Sequence, residues 1–248
     1  MSSSIWTRCA GRSRLARYSS EVWRVVEGQH VTSTRKLVDS REEHDLLERI
    51  LDEHKPPLPD DCRSLHWLLA TPFRYPPLRY GSRFGTKSQR SLFYGAEEVT
   101  TALAETAFYR LWFLEDSAAE LSPLESEFTA FRVRLTSEQA IDLTAPPFSA
   151  YADRISSKRE FTDAQQLGTE MRAAGVELFR YFSARQPHGI NVGVFRAEPF
   201  VGGPFGEQHW HCFATREAIE LSWTVQREKH LFPRTQFIVD GELAPRPS

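Results

Sequence analysis

Apolar and polar positions along the chain fall into short runs of two different periods. Between 128 and 135 (FTAFRVRL), Phe131, Val133 and Leu135 alternate with Arg132 and Arg134, the two-residue period of a half-buried strand. Residues 21–27 (EVWRVVE) read as another short strand, and Ile141-Asp142-Leu143 as a third. Helical spacing appears at Leu46, Leu47, Ile50 and Leu51, which predicts a helix over about 41–54. Asp39 or Ser40 can cap it, and Lys55-Pro56-Pro57-Leu58-Pro59 stops it. Residues 65–75 (LHWLLATPFRY) read as a buried strand broken by Pro72. After a strand ending at Tyr94 (SLFY), a helix is predicted from about Val99 to Leu114, and another over 162–174 that starts with Thr162 as its N-cap and stops at Gly175. Two strands, ending near Ser183 and Arg196, flank the turn ARQPHG, and three strand-like runs follow near 208–214, 219–227 and 235–239. Helices and strands intermix without a βαβ rhythm or a Rossmann glycine fingerprint, so the fold class is α+β with largely antiparallel strands.

Composition narrows the function classes. Lys plus Arg total 31 against 33 Asp plus Glu, a formal charge of -2, which gives no global case for nucleic acid or a membrane surface. Any anion site must therefore be local. Cys9, Cys62 and Cys212 form neither a disulfide framework nor a metal knuckle, which fits a cytoplasmic protein. No apolar run approaches the roughly 20 residues of a membrane span. Residues 1–20 carry Arg8, Arg12, Arg14 and Arg17 and no acid. They are expected as a loosely held basic arm before a single domain over 21–248, although an organellar presequence shares that composition.

The candidate chemistry concentrates between 74 and 110. The turn GSRFGTKS fails the phosphate-loop spacing, because Gly81 and Gly85 enclose three residues and Thr86 precedes Lys87. Arg74, Arg79 and Arg83, interleaved with Tyr75 and Tyr80, still suit a diphosphate, since a planar guanidinium bonds two oxygens at once. Glu105 shares a helix face with Thr101, Ala102, Phe108 and Tyr109. A carboxylate there is costly unless paired or functional, and Arg110 on the next turn is the structural alternative. His209 and His211 lack a further ligand at a recognisable spacing, so no metal is expected.

The segments LLATPFRY, GSRFG, LFYGAEEVTTALAETAFYR and RYFSARQPHGINVGVF together resemble the RES-domain family, over roughly residues 65–200. These are toxins of bacterial Xre–RES toxin–antitoxin pairs. The resemblance implies a compact core similar to ADP-ribosyltransferase toxins and an enzyme that splits nicotinamide from NAD by phosphorolysis or hydrolysis. NAD is then a substrate and inorganic phosphate a co-substrate, with no cofactor. Carried across, Arg74 and Tyr75 match the first family arginine and tyrosine, with Arg24 as a competitor. Arg83 is the arginine of the glycine-rich turn, Tyr94 the strand-end tyrosine and Glu105 the helix glutamate. Thr162 occupies the family serine position before Gln165, and Ser183 is its rival. The implied partners are an Xre-like antitoxin covering the cleft and a second copy of this chain. Transfer of ADP-ribose to protein, or a catalytically silent module of the same fold, are the alternative functions.

Overall fold

The computed structural model describes residues 3–28, 40–75, 77, 81–118, 123–223 and 225–244. Its helices are α1 (Ile5–Arg8), α2 (Arg41–Glu53), α3 (Trp67–Arg74), α4 (Val99–Asp116), α5 (Ala152–Ile155) and α6 (Thr162–Ala173). Its strands are β1 (Ala16–Glu27), β2 (Phe93–Ala96), β3 (Leu124–Asp142), β4 (Leu178–Phe182), β5 (Ile190–Val194), β6 (Phe200–Ala214), β7 (Ala218–Trp223) and β8 (Glu228–Pro233), with a short ribbon of β9 (Ile238–Val239) and β10 (Glu242–Leu243).

The sheet order is β1-β2-β5-β4-β3-β6-β7-β8, and β3 also pairs with β1, so the first five strands close into a ring. The β3–β4 pair is parallel and the other pairs are antiparallel. The alternation read at 128–135 belongs to a longer strand, and Ile141-Asp142 is its far end rather than a separate element. Val22, Phe93, Phe131, Val133, Leu178 and Val192 share the ring's core with Leu69 and Phe73 of α3. A second core joins α4, through Leu103, Phe108 and Leu111, to Trp210 and Leu221. A third joins α6 to Phe84, Phe179 and the N-terminal Ile5 and Cys9.

Several expectations change. Within residues 65–75 the chain forms a helix, Trp67–Arg74, not a strand. His66 caps it by accepting the Leu68 N–H at 3.3 Å, and Leu69 and Phe73 fall on one buried face at i, i+4 spacing. Pro72 costs this short helix one internal hydrogen bond without ending it. The described part of the N-terminal arm is not loose either. Ser4 Oγ caps α1, Ile5 and Cys9 are buried, and β1 starts at Ala16 opposite Ala140. The first turn of α6 is not capped by Thr162, which is already helical; Asp163 instead pairs with Arg154 through two bonds of 2.7 Å. Ser40 caps α2 by accepting the Glu43 N–H, while the other candidate, Asp39, lies outside the described residues. The run at 235–239 is mostly a 3-10 turn, and the one at 219–227 is strand only as far as Trp223 of β7, with a turn at 225–227 before β8. Among the described residues no helix is long and apolar enough to cross a membrane.

A backbone contact sets how closely α6 approaches the glycine-rich turn. Gly168 of α6 lies against the backbone of Phe84, where an added Cβ would meet the Phe84 carbonyl oxygen at 2.2 Å. Gly168→Ala is expected to lower stability by about 1–3 kcal/mol in urea denaturation, because a carbonyl cannot move aside as a side chain can. An unchanged midpoint would contradict this packing.

Candidate active site

Among the described residues β1 and β2 meet at a single register pair, Trp23 opposite Ala96, and then part. The gap is bridged by a side chain: Arg24 Nη1 donates to the Tyr94 carbonyl at 2.8 Å, and its guanidinium lies over the Phe93 ring. A cleft of about 300 Å³ opens at this parting, with Arg24, Arg83, Tyr94, Glu105, Arg185 and Asn191 in its walls.

Glu105 reaches the cleft because α4 turns Leu103, Ala107 and Leu111 into the core and leaves Ala102, Glu105 and Tyr109 along the opening. One carboxylate oxygen, Oε1, accepts from Ser183 Oγ at 2.7 Å and from Asn191 Nδ2 at 2.7 Å. The Ser183 hydroxyl in turn accepts the Arg185 and Gln186 amides at 3.0 and 3.1 Å, which fixes its proton toward Glu105. Oε2 has no partner among the described residues. The structural alternative fails, since Arg110 pairs with Glu27 at 2.9 Å and covers Phe128.

Tyr94 is held at its hydroxyl, which shares a hydrogen bond with Ser82 Oγ at 2.9 Å and accepts the Phe84 N–H at 3.1 Å. Burial pushes the phenol up to about 12, so it is neutral throughout the physiological range. These bonds clamp the turn that carries Arg83. That turn closes with Ser82 N–H donating to the Gly85 carbonyl at 2.7 Å, and Gly81 enters it at φ 73°, where a Cβ would strike Gly85. Gln165 of α6 ties it from outside through the Ser82 carbonyl. Arg83 itself is buried, stacks on Phe161 at 4.4 Å and spends Nη1 on the Ser157 carbonyl at 2.6 Å. Its Nε and Nη2 have no partner among the described residues.

Of the residues expected from sequence, the structure brings together Arg83, Tyr94, Glu105 and, in contact with Glu105, Ser183. It does not bring Arg74, Tyr75 or Thr162 to the cleft. Arg74 donates to the Pro56 carbonyl, Tyr75 is exposed, and Thr162 is exposed beside Phe161, which does line the cleft. The two competitors, Arg24 and Ser183, hold the positions at the site. Arg79 and Tyr80 lie outside the described residues. Sequence reasoning missed Asn191 and Arg185. Arg185 is 4% exposed, its guanidinium 3.4 Å from the Phe108 ring centre, and its Nη1 is buried without a partner. Burial lowers both Arg24 and Arg185 to about 10, with Glu105 opposing the shift at Arg185; both stay charged at neutral pH. His209 and His211, weighed for a metal, sit on β6 near Thr129 and Glu125, and among the described residues no three potential ligands converge. The arrangement sets one oriented carboxylate among three guanidinium groups, two of them on buried residues, a design for an anionic ligand that carries a hydroxyl or develops positive charge beside its anion.

A family model described as the RES domain matches residues 58–213, well over half of the chain, and the chain belongs to that family. Arg83, Tyr94, Glu105, Ser183, Arg185 and Asn191 all fall inside the match, and Arg24 falls before it. Among solved structures the chain is similar to one from the M. tuberculosis MbcT-MbcA toxin-antitoxin complex, with 13% identity over 86% of this chain and 92% of that one and a TM-score of 0.47. Comparison with curated proteins yields no match.

Tyr94→Phe is expected to cost about 1–3 kcal/mol of stability, because it strands the buried Phe84 amide. The raised phenol pKa has a defined sign. The neutral form is favoured in the fold, so its contribution is full below the unfolded value near 10 and is lost as pH rises through about 12. In ultraviolet titration, wild type minus Tyr94→Phe should show a phenol ionising near 12; a midpoint near 10 would mean the hydroxyl is not buried as described.

Proposed function

We propose that the cleft is an NAD-cleaving active site and that the chain acts as the toxin of a toxin–antitoxin pair, held inactive by an antitoxin that covers the cleft. The observation that carries this reading is the Glu105 carboxylate. Two donors fix one oxygen, and the other is left for a ligand. RES-family membership supports the same choice of substrate.

The nicotinamide–ribose bond of NAD has a leaving group that is already a pyridinium cation. Its departure needs no proton, so a single carboxylate is enough where glycosidases use a pair. As the bond breaks, the ribose becomes oxocarbenium-like, and Glu105 Oε2 stabilises that charge more than it stabilises the intact substrate. Ser183 and Asn191 keep the carboxylate in place, so little reorganisation accompanies the step. Arg24 and Arg83 hold the diphosphate, and the Tyr94 ring covers the pyridinium, to which it is attracted through its π face. Arg24 takes the role that the resemblance assigned first to Arg74, and Ser183 the one assigned to Thr162. Phosphorolysis is preferred to hydrolysis because the cleft holds more guanidinium groups than one diphosphate requires.

The test is NAD consumption by the purified chain, followed by proton and phosphorus NMR with and without inorganic phosphate. Wild type should release nicotinamide. Glu105→Gln, which keeps the hydrogen-bond acceptor but removes the charge, should slow it by about a hundredfold to a thousandfold with an unchanged melting profile. Ser183→Ala and Asn191→Ala should each slow it less. A folded Glu105→Gln protein with wild-type activity would end this reading.

A further inference from the structure

Glu97, Thr101 and Glu105 are spaced four apart, from two residues ahead of α4 through its first two turns. Each of them meets the β4–β5 hairpin. Glu105 accepts from Ser183 and Asn191. Thr101 is wholly buried against Gly189 of the turn, where an added Cβ would lie 2.6 Å from the threonine Oγ1. Glu97 is gripped by Arg180 of β4 along one edge of the guanidinium, Nε donating to Oε1 at 2.8 Å and Nη2 to Oε2 at 3.0 Å. The Glu97 amide also donates to the Ile190 carbonyl at 2.9 Å, where β5 begins.

The Glu97–Arg180 pair is itself held from two sides. Arg180 Nη1 donates to Asp142 Oδ2 at 2.7 Å, and the other oxygen of that carboxylate accepts the Thr144 amide at 2.8 Å. Tyr18 of β1 adds its hydroxyl to Glu97 Oε1 at 3.2 Å. One guanidinium thus joins β4 to the end of β3 and to the start of α4. The two side chains of the pair are only about a quarter exposed, so solvent and salt screen it less than a surface pair. Two parallel bonds fix the relative position of the groups they join, beyond attracting them. The sheet does not need that joint to close, because β4 is already laddered to β3 and β5. What the joint adds is a fixed height for α4 along the hairpin. Neither Arg180 nor Glu97 lines the cleft, and the charge of Arg180 is balanced by Glu97 and Asp142.

We infer that Arg180 is a positioning residue for the cleft. Through Glu97 it sets the height of α4 against the β4–β5 hairpin, and with it the distance from Glu105 to Ser183 and Asn191. Its effect on rate rests on the NAD-cleaving reading, while its effect on geometry does not. Without the fork, the start of α4 keeps the Ile190 bond and the Gly189 contact, and neither has the directionality of two parallel bonds. The contact also contributes no hydrogen bond, since the Thr101 hydroxyl is buried without a partner. A displacement of the carboxylate by about 1 Å is enough to slow a positioned reaction about a hundredfold.

Nitrogen-15 NMR of the Asn191 side-chain amide, assigned by its loss in Asn191→Ala, reads this geometry without any substrate. Arg180→Met should move those resonances, as Glu105→Gln does. Arg180→Lys keeps the charge but not the fork and should restore them only in part. In NAD turnover, Arg180→Met should lower kcat by about tenfold to a hundredfold and leave KM unchanged. In a Glu105→Gln background it should lower kcat no further, because the group it positions has already lost its charge. Glu97→Gln removes the charge of the pair with little change of shape, and it carries the same tests if Arg180→Met does not fold. Resonances that stay in place in a folded variant overturn the proposal. So does an equal loss of kcat in both backgrounds, which would mean a general structural role. Shifted resonances in a chain that leaves NAD intact would remove the cleavage reading and keep the positioning. Unmoved resonances in an active chain would do the reverse.

Discussion

Glu105 stands on a helix whose neighbouring positions are mostly apolar or aromatic, and two short hydrogen bonds to a single oxygen keep its carboxylate there. Charge held at a partly buried site is tolerated only where donors replace the lost water, and here they come from two distant pieces of chain. Asn191 lies on β5 and Ser183 just after β4, so the bonds tie α4 to the hairpin that closes the ring. The hairpin turn is in turn shaped by Ser183, whose hydroxyl accepts two successive amides. Changing any of these three residues would alter the orientation of the carboxylate and the path of the turn together.

The cleft itself exists because of a defect in the sheet. Closing five strands into a ring leaves β1 and β2 paired at one position, beyond which their backbone groups need other partners. Arg24 supplies one, donating to the Tyr94 carbonyl in place of a ladder amide. A side chain in that role leaves room that a paired strand would fill. The same parting exposes the Tyr94 ring while its hydroxyl remains bonded to the Arg83 turn. Site and fold therefore share their hydrogen bonds, and the gap left by ring closure falls where a ligand can enter.

This also explains which parts were legible in the sequence. Glu105 could be read because a carboxylate on an apolar helix face is a local anomaly, visible within two turns. Arg83 and Tyr94 could be read because the glycine-rich turn and the strand after it adjoin in sequence. Arg24 against Arg74, and Ser183 against Thr162, could not be decided. Arg24 meets Tyr94 at a sequence separation of 70, and Ser183 meets Glu105 at one of 78, through a ring that no local pattern encodes. Arg185 lies in the turn ARQPHG with no local signal of its own, and only the fold shows it buried against Phe108. Residues 65–75 failed for a different reason. A short apolar run has no periodicity that separates strand from buried helix, and Pro72 favoured the wrong choice. The basic N-terminus misled through its charge count, which hid Ile5 and Cys9, the two residues that anchor it.

The three arginines at the site pose an energetic question that bears on mechanism. Arg24 and Arg185 are buried deeply enough to lower their proton affinity, each has a buried N–H with no acceptor, and Arg83 has a single strong one. Stability alone would favour apolar residues of similar volume at such positions, since an unpaired buried charge opposes folding. Aromatic faces under each guanidinium, from Phe93, Phe161 and Phe108, recover part of that cost and fix the planes of the forks. All three arginines line the cleft, so anionic oxygens bound there offset part of what remains of that cost. With the carboxylate already oriented by Ser183 and Asn191, such a site meets developing charge without rearranging, and preorganisation of that kind speeds a reaction instead of merely holding its substrate.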